Sequence, residues 1–143
     1  MFKAQEFTYR SEHKYPGMRP KDVAIWDEFI INNPNAFERV WYNVALGNPA
    51  TTSEEHKRMV DTGMYGVSQW RIDVVALKAM HFYVIEVKPN AMAGALGQAL
   101  AYSHMVVRDY GVDVPVHPVV LTDDIAPITL EAANLLGVAL LTP

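Results

Sequence analysis

Cysteine is absent from this chain. That excludes disulfides and thiolate metal sites, and it suits a reducing compartment. Histidine is sparse and scattered, with five residues and no metal-ligand spacing. Any metal must therefore be held by oxygen ligands, which favours Mg²⁺ or Mn²⁺. No apolar run approaches the roughly 20 residues of a membrane span. The opening MFKAQEFTYRSEHKYPG carries no signal-peptide core. A cytoplasmic, intracellular protein without a membrane partner is expected. Positive charge is also short: 12 Lys and Arg against 16 Asp and Glu leave a net charge of −4. That argues against a nonspecific nucleic-acid binder, which works by neutralising phosphates. Internal repeats and low-complexity linkers are missing too.

What is present is a core. Half of the 143 residues are hydrophobic, which suits one domain over 1–143. The charge is uneven. Residues 1–21 hold Lys3, Arg10, Lys14, Arg19 and Lys21 against Glu6 and Glu12, whereas 109–143 hold only acids. The basic N-terminal half is the end better suited to face a polyanion.

Residues 1–20 read as an N-terminal arm with a turn at YPGMRP. KDVAIWDEFIINN has helical apolar spacing at Val23, Ile25 or Trp26, Phe29 and Ile30. Pro34 ends that helix and can open a second, PNAFERVWYNVALG, running to Gly47. TTSEEHKRMVDTG reads as a short helix with Thr52 and Glu55 in capping-box spacing. SQWRIDVVAL and HFYVIEVK are β-rich runs. A long helix follows from about Ala91 to Tyr110, closed by Gly111. Its many small residues predict close packing on a sheet, with Gly94 and Gly97 offset by that packing. VPVHPVVLT reads as a strand, APITLEAANLLG as a helix and VALLTP as a final strand. The sum is an α/β fold, a central mixed sheet flanked by helices. Residues 22–121 form its core and 124–143 add a C-terminal helix and strand.

The stretch YVIEVKPNA, Tyr83–Ala91, puts Glu86 and Lys88 two apart in an otherwise apolar strand. A four-residue loop at 78–81 would pair Leu77 with Phe82 and set Asp73 directly across from Glu86. A two-residue loop at Lys78-Ala79 would put Asp73 diagonal to it. Either even loop leaves Asp73, Glu86 and Lys88 on one face, because side chains alternate with period 2. An odd loop or a bulge would not. Opposed carboxylates would lie about 5 Å apart at Cβ and repel. A shifted pKa, the Lys88 ammonium or a divalent cation could offset that. Beside such a cation Lys88 could orient a water and offset charge on a phosphate. The plainer alternative is an ion-paired sheet edge. On the next helix Gln98 and Tyr102 are four apart, hence on one face.

Asp73, then IEVK with Glu86 and Lys88, then Gln98 and Tyr102, resembles the PD-(D/E)xK nuclease superfamily, in its RecB-like branch with a QxxxY motif. The resemblance spans about 22–121. It implies a restriction-endonuclease-like core and Mg²⁺-dependent hydrolysis of DNA phosphodiesters, with Mn²⁺ as a substitute. It implies Asp73, Glu86 and the Val87 carbonyl as metal ligands, Lys88 as the catalytic lysine, and Gln98 and Tyr102 as support. Such proteins often carry another acid on the N-terminal helix, here Glu38, with Glu28 as competitor. Two departures stand out: Ile72 replaces the proline of the motif, and the strand before the Asp strand is not evident unless MYGVSQW supplies it.

The competing function is an inactive nuclease-fold module that regulates through a protein or nucleic-acid partner. So small a nuclease would bury little DNA alone, specific interfaces taking about 1,000–2,500 Å². A homodimer or a protein partner supplying specificity is therefore expected, and a compact stand-alone nuclease would suit a phage or mobile element. Trp26, Trp41 and Trp70 read as core, with Trp70, beside Arg71, the one able to reach a nucleic acid. His81 reads as a loop residue, His104 as packed, and His117 as part of a strand.

Overall fold

Valine, isoleucine and aromatic residues dominate three consecutive stretches around 39–45, 71–78 and 81–87, and in the computed structural model all three are strands of one sheet. The structure describes residues 2–47, 54, 58, 61 and 70–143. The elements are β1 (Glu6–Thr8), α1 (Pro20–Asn32), β2 (Arg39–Ala45), β3 (Arg71–Lys78), β4 (His81–Val87), α2 (Ala93–Tyr110), β5 (Val116–Leu121), α3 (Pro127–Leu136) and β6 (Ala139–Leu141). The strands of the described residues form a six-stranded sheet in the order β1-β2-β3-β4-β5-β6. Pairing is antiparallel from β1 to β4 and parallel from β4 to β6. This is the expected α/β fold with a mixed sheet, and it is compatible with a restriction-endonuclease-like core.

Helix α1 covers one face, with Trp26 and Phe29 packed with Val74, Ile85 and Val87. Helix α2 covers the other, with Tyr102 and Val106 packed with Val75 and Val84. Helix α3 adds Ala133 to Ala95, Ala99 and Val120 on that second side. Among the described residues, no helix is long and apolar enough to cross a membrane.

Five expectations change. The second helix predicted over Pro34–Gly47 is strand β2. Val40, Trp41, Tyr42 and Val44 are all buried, so neither a helical nor an alternating period is clean, and β-branched and aromatic content decides for the strand. This is also the missing strand before β3. The predicted arm is not an arm. β1 pairs with β2, and the Phe2 ring lies 5.0 Å from Trp41, 5.3 Å from Phe82 and 5.2 Å from Tyr110. Trp26 and Trp41 are buried as expected, but Trp70 is 56% exposed. His104 is exposed rather than packed, and His81 opens β4 opposite Lys78, its Nδ1 2.8 Å from His117 Nε2. Within the predicted short helix, Glu54, Arg58 and Asp61 are helical and exposed. Its capping box and the stretch 64–69 lie outside the described residues.

Candidate active site

The β3–β4 hairpin sets the geometry. Its register runs from Lys78↔His81 and Leu77↔Phe82 to Val74↔Ile85. The turn is Ala79-Met80, with φ of 48° and 65°, the doubly left-handed form that matches strand twist. One further step along this register sets Asp73 across from Glu86, as the longer of the two anticipated loops required. The ladder stops there, and the Val87 N–H turns to the Asp73 carboxylate, 2.9 Å from Oδ2. The contact seen for Val87 is thus through its amide.

Ile85 and Val87 face α1, so period 2 points Glu86 to the α2 side. There it is 6% exposed. Its carboxyl shares a hydrogen bond with Asp73, and the Asp73 backbone N–H also donates to it. Its Oε1 is buried without a hydrogen-bond partner. Burial first, and the Asp73 charge second, push the Glu86 carboxyl up to about 10. Asp73 is also raised, by burial above all and by the Asp22 charge, while the Val87 amide and the field of Lys88 act the other way. At neutral pH one proton therefore stays in the pair.

Lys88 follows at the strand's end, its side chain exposed and its N–H bonded to the Leu121 carbonyl at 2.9 Å. Pro89 and Asn90 then turn the chain. The Asn90 N–H meets Asp123 Oδ1 at 2.7 Å, and the Ala91 N–H meets the buried Thr122 Oγ1 at 3.0 Å. These bonds fix where α2 begins. In its second and third turns, α2 delivers exposed Gln98 and buried Tyr102. The Tyr102 phenol is raised by burial and by the charges of Glu86 and Asp73.

All five residues named from the sequence line one cavity of about 790 Å³: Asp73, Glu86, Lys88, Gln98 and Tyr102. Glu38 does not. It precedes β2 at the far end of the hairpin and accepts the Ala79 N–H at 3.0 Å. Its assignment rested on a helix that is a strand. Glu28 is an exposed residue of α1 and does not line the cavity either. The acid that α1 brings to the site is Asp22. It sits in the first turn, accepts the Arg19 N–H at 3.2 Å and raises Asp73 by its charge. Its position just inside the helix start after YPGMRP marks where the helix begins, and no signal in the sequence ties it to the site.

Among the described residues, no three His, Asp or Glu side chains converge as a closed metal cage. Mg²⁺ needs none, since it commonly takes one or two carboxylates and keeps waters and phosphate oxygens. A buried carboxylate oxygen without a donor, opposed to a second carboxylate, fits such a cation. Asp73 and Glu86 would hold it.

No protein-family model and no curated protein matches the chain. Among solved structures, the crystal structure of a protein of unknown function, AF1548, is similar at a TM-score of 0.46 and 17% identity. The match covers 79% of this chain and 53% of that one, so this chain spans about half of that protein.

Proposed function

We propose that the chain is a divalent-cation-dependent nuclease of the PD-(D/E)xK type that hydrolyses phosphodiester bonds in DNA. The observation that carries this reading is the buried, donorless Oε1 of Glu86, opposed to Asp73 in a cavity that Lys88 lines. An ion-paired sheet edge would leave neither carboxylate buried nor one oxygen unmet. A binding module has no physical need to keep two opposed acids at a cost in stability.

Asp73 and Glu86 would bind Mg²⁺ or Mn²⁺, which when bound neutralises the paired acids and polarises the phosphate. Lys88 orients the attacking water and offsets the charge that grows on the pentacoordinate phosphorus. Gln98, exposed on α2, donates to the substrate backbone. Tyr102 walls the cavity behind the carboxylates and limits water there. Asp22 positions the site's charge from α1. A homodimer or a protein partner would supply the contact area that one copy lacks.

The test is cleavage of labelled single-stranded, duplex, flap and four-way-junction DNA with Mg²⁺, Mn²⁺ or EDTA. Wild type should cut at least one of them only with metal. Lys88→Ala should lose about 10²–10³-fold, the usual cost of one transition-state donor. Asp22→Asn, which keeps the helix cap, should lose less, about 10–100-fold. A wild type that cuts none, or a Lys88→Ala variant that cuts as well, would remove the nuclease reading and favour the binding module.

A further inference from the structure

Three tryptophans divide sharply: Trp26 and Trp41 are 0% and 6% exposed, and Trp70 is 56% exposed. Trp70 is nonetheless held firmly. Its carbonyl accepts the Leu46 N–H at 2.8 Å, which continues the β2–β3 ladder by one bond. Its ring leans on Tyr102, with centroids 5.9 Å apart and planes inclined by 38°. Tyr102 lines the cavity of the two carboxylates. Trp70 precedes Asp73 by three strand positions, about 10 Å along the chain. A largely exposed indole, tied to the sheet through its backbone and resting on Tyr102, therefore lies at the rim of the candidate active site.

A base inside a duplex has both faces covered by its neighbours. Only an unpaired base offers a free face to an indole. Aromatic stacking of this kind accepts every base, because each has a π-face. It also supplies attraction that needs no positive charge, which suits a chain of net charge −4.

We propose that Trp70 is a stacking platform for an unpaired base beside the scissile phosphate, so that the substrate is single-stranded nucleic acid or a single-stranded end. The inference rests on the nuclease reading for where the phosphate sits. The platform itself can be tested without any cleavage.

The experiment is fluorescence anisotropy in EDTA with labelled oligothymidylate, oligouridylate and a blunt DNA duplex of equal length. Wild type, Trp70→Ala and Trp70→Phe are compared, with thermal melting as a check on folding. Trp70→Ala should weaken single-strand binding about 5–150-fold, the stacking of one base being worth about 1–3 kcal/mol. Duplex binding should change less than about twofold, and Trp70→Phe should keep most of the single-strand affinity. A loss with oligothymidylate alone assigns the platform to DNA, and an equal loss with oligouridylate extends it to RNA. Undiminished single-strand binding by Trp70→Ala, an equal loss on the duplex, or no single-strand binding by wild type overturns the proposal. Cleavage with Mn²⁺ on the same oligonucleotides separates the two readings. A Trp70-dependent affinity in a protein that cuts neither these nor the flap and junction keeps the platform and removes the nuclease. Cutting with Trp70-independent binding does the reverse.

Discussion

The opposed pair of Asp73 and Glu86 holds a proton that exposed carboxylates would lose. In the unfolded chain the Glu86 carboxyl ionises near the ordinary value of 4.5, whereas the folded site pushes it up to about 10. Between those values the folded state binds more protons than the unfolded one, so this group's contribution to stability falls as pH rises. Glu86→Gln removes the titration and keeps a donor towards Asp73. The variant should melt above wild type at pH 8 in EDTA by at least about 1 kcal/mol, or about 3–5 °C for a domain of this size. The difference should shrink towards pH 4.5. Thermal melts across that range check it, and a lower melting temperature for the variant at pH 8 would contradict the site's electrostatics. At this scale Asp73, Glu86 and Lys88 were legible because period 2 and an even turn leave a strand pair no freedom of facing. Asp22 was not legible as the site's acid. Nothing in one sequence tells which turn of a helix reaches a sheet end on the opposite hairpin.

The elements were readable where one period was clean. Helix α1 with its Ile25, Trp26, Phe29 and Ile30 face emerged where expected, as did α2 up to Gly111. Strand β2 was misread because both its faces are buried. The packing argument for the α2 glycines also fails. A Cβ at Gly94 or Gly97 would meet nothing within 4 Å, so no close contact offsets their flexibility. Gly97→Ala should then stabilise the fold by about 0.5–1 kcal/mol. Gly17 is the opposite case. It has φ +77°, and a Cβ there would come within 2.7 Å of the Asn43 side chain. Gly17→Ala should cost more than Gly97→Ala gains. Denaturant unfolding of the two variants checks both signs.

The whole molecule places its chemistry where secondary elements end. β4 stops, β3 starts, α1 begins and α2 passes overhead, and each contributes polar groups to one cavity that Arg19, Lys21, Asn43 and Arg71 also line. The N-terminal residues, expected as an arm, instead join the core through Phe2, Tyr9 and Tyr15. Their composition is mixed, and it is rings from α1, β2, β4 and α2, with Phe37, that give them apolar neighbours. Contacts this distant in sequence leave no local pattern to read.

The proposed chemistry requires the opposed carboxylates to take up a cation in exchange for their proton. The measurement is calorimetric titration of the folded protein with Mn²⁺ at pH 7.5, in two buffers of different ionisation enthalpy, for wild type and Glu86→Gln. The predicted result is binding by wild type with release of about one proton, since the ligands must deprotonate, and loss of that binding in the variant. No binding by the wild type, or equal binding without proton release in both proteins, would contradict it.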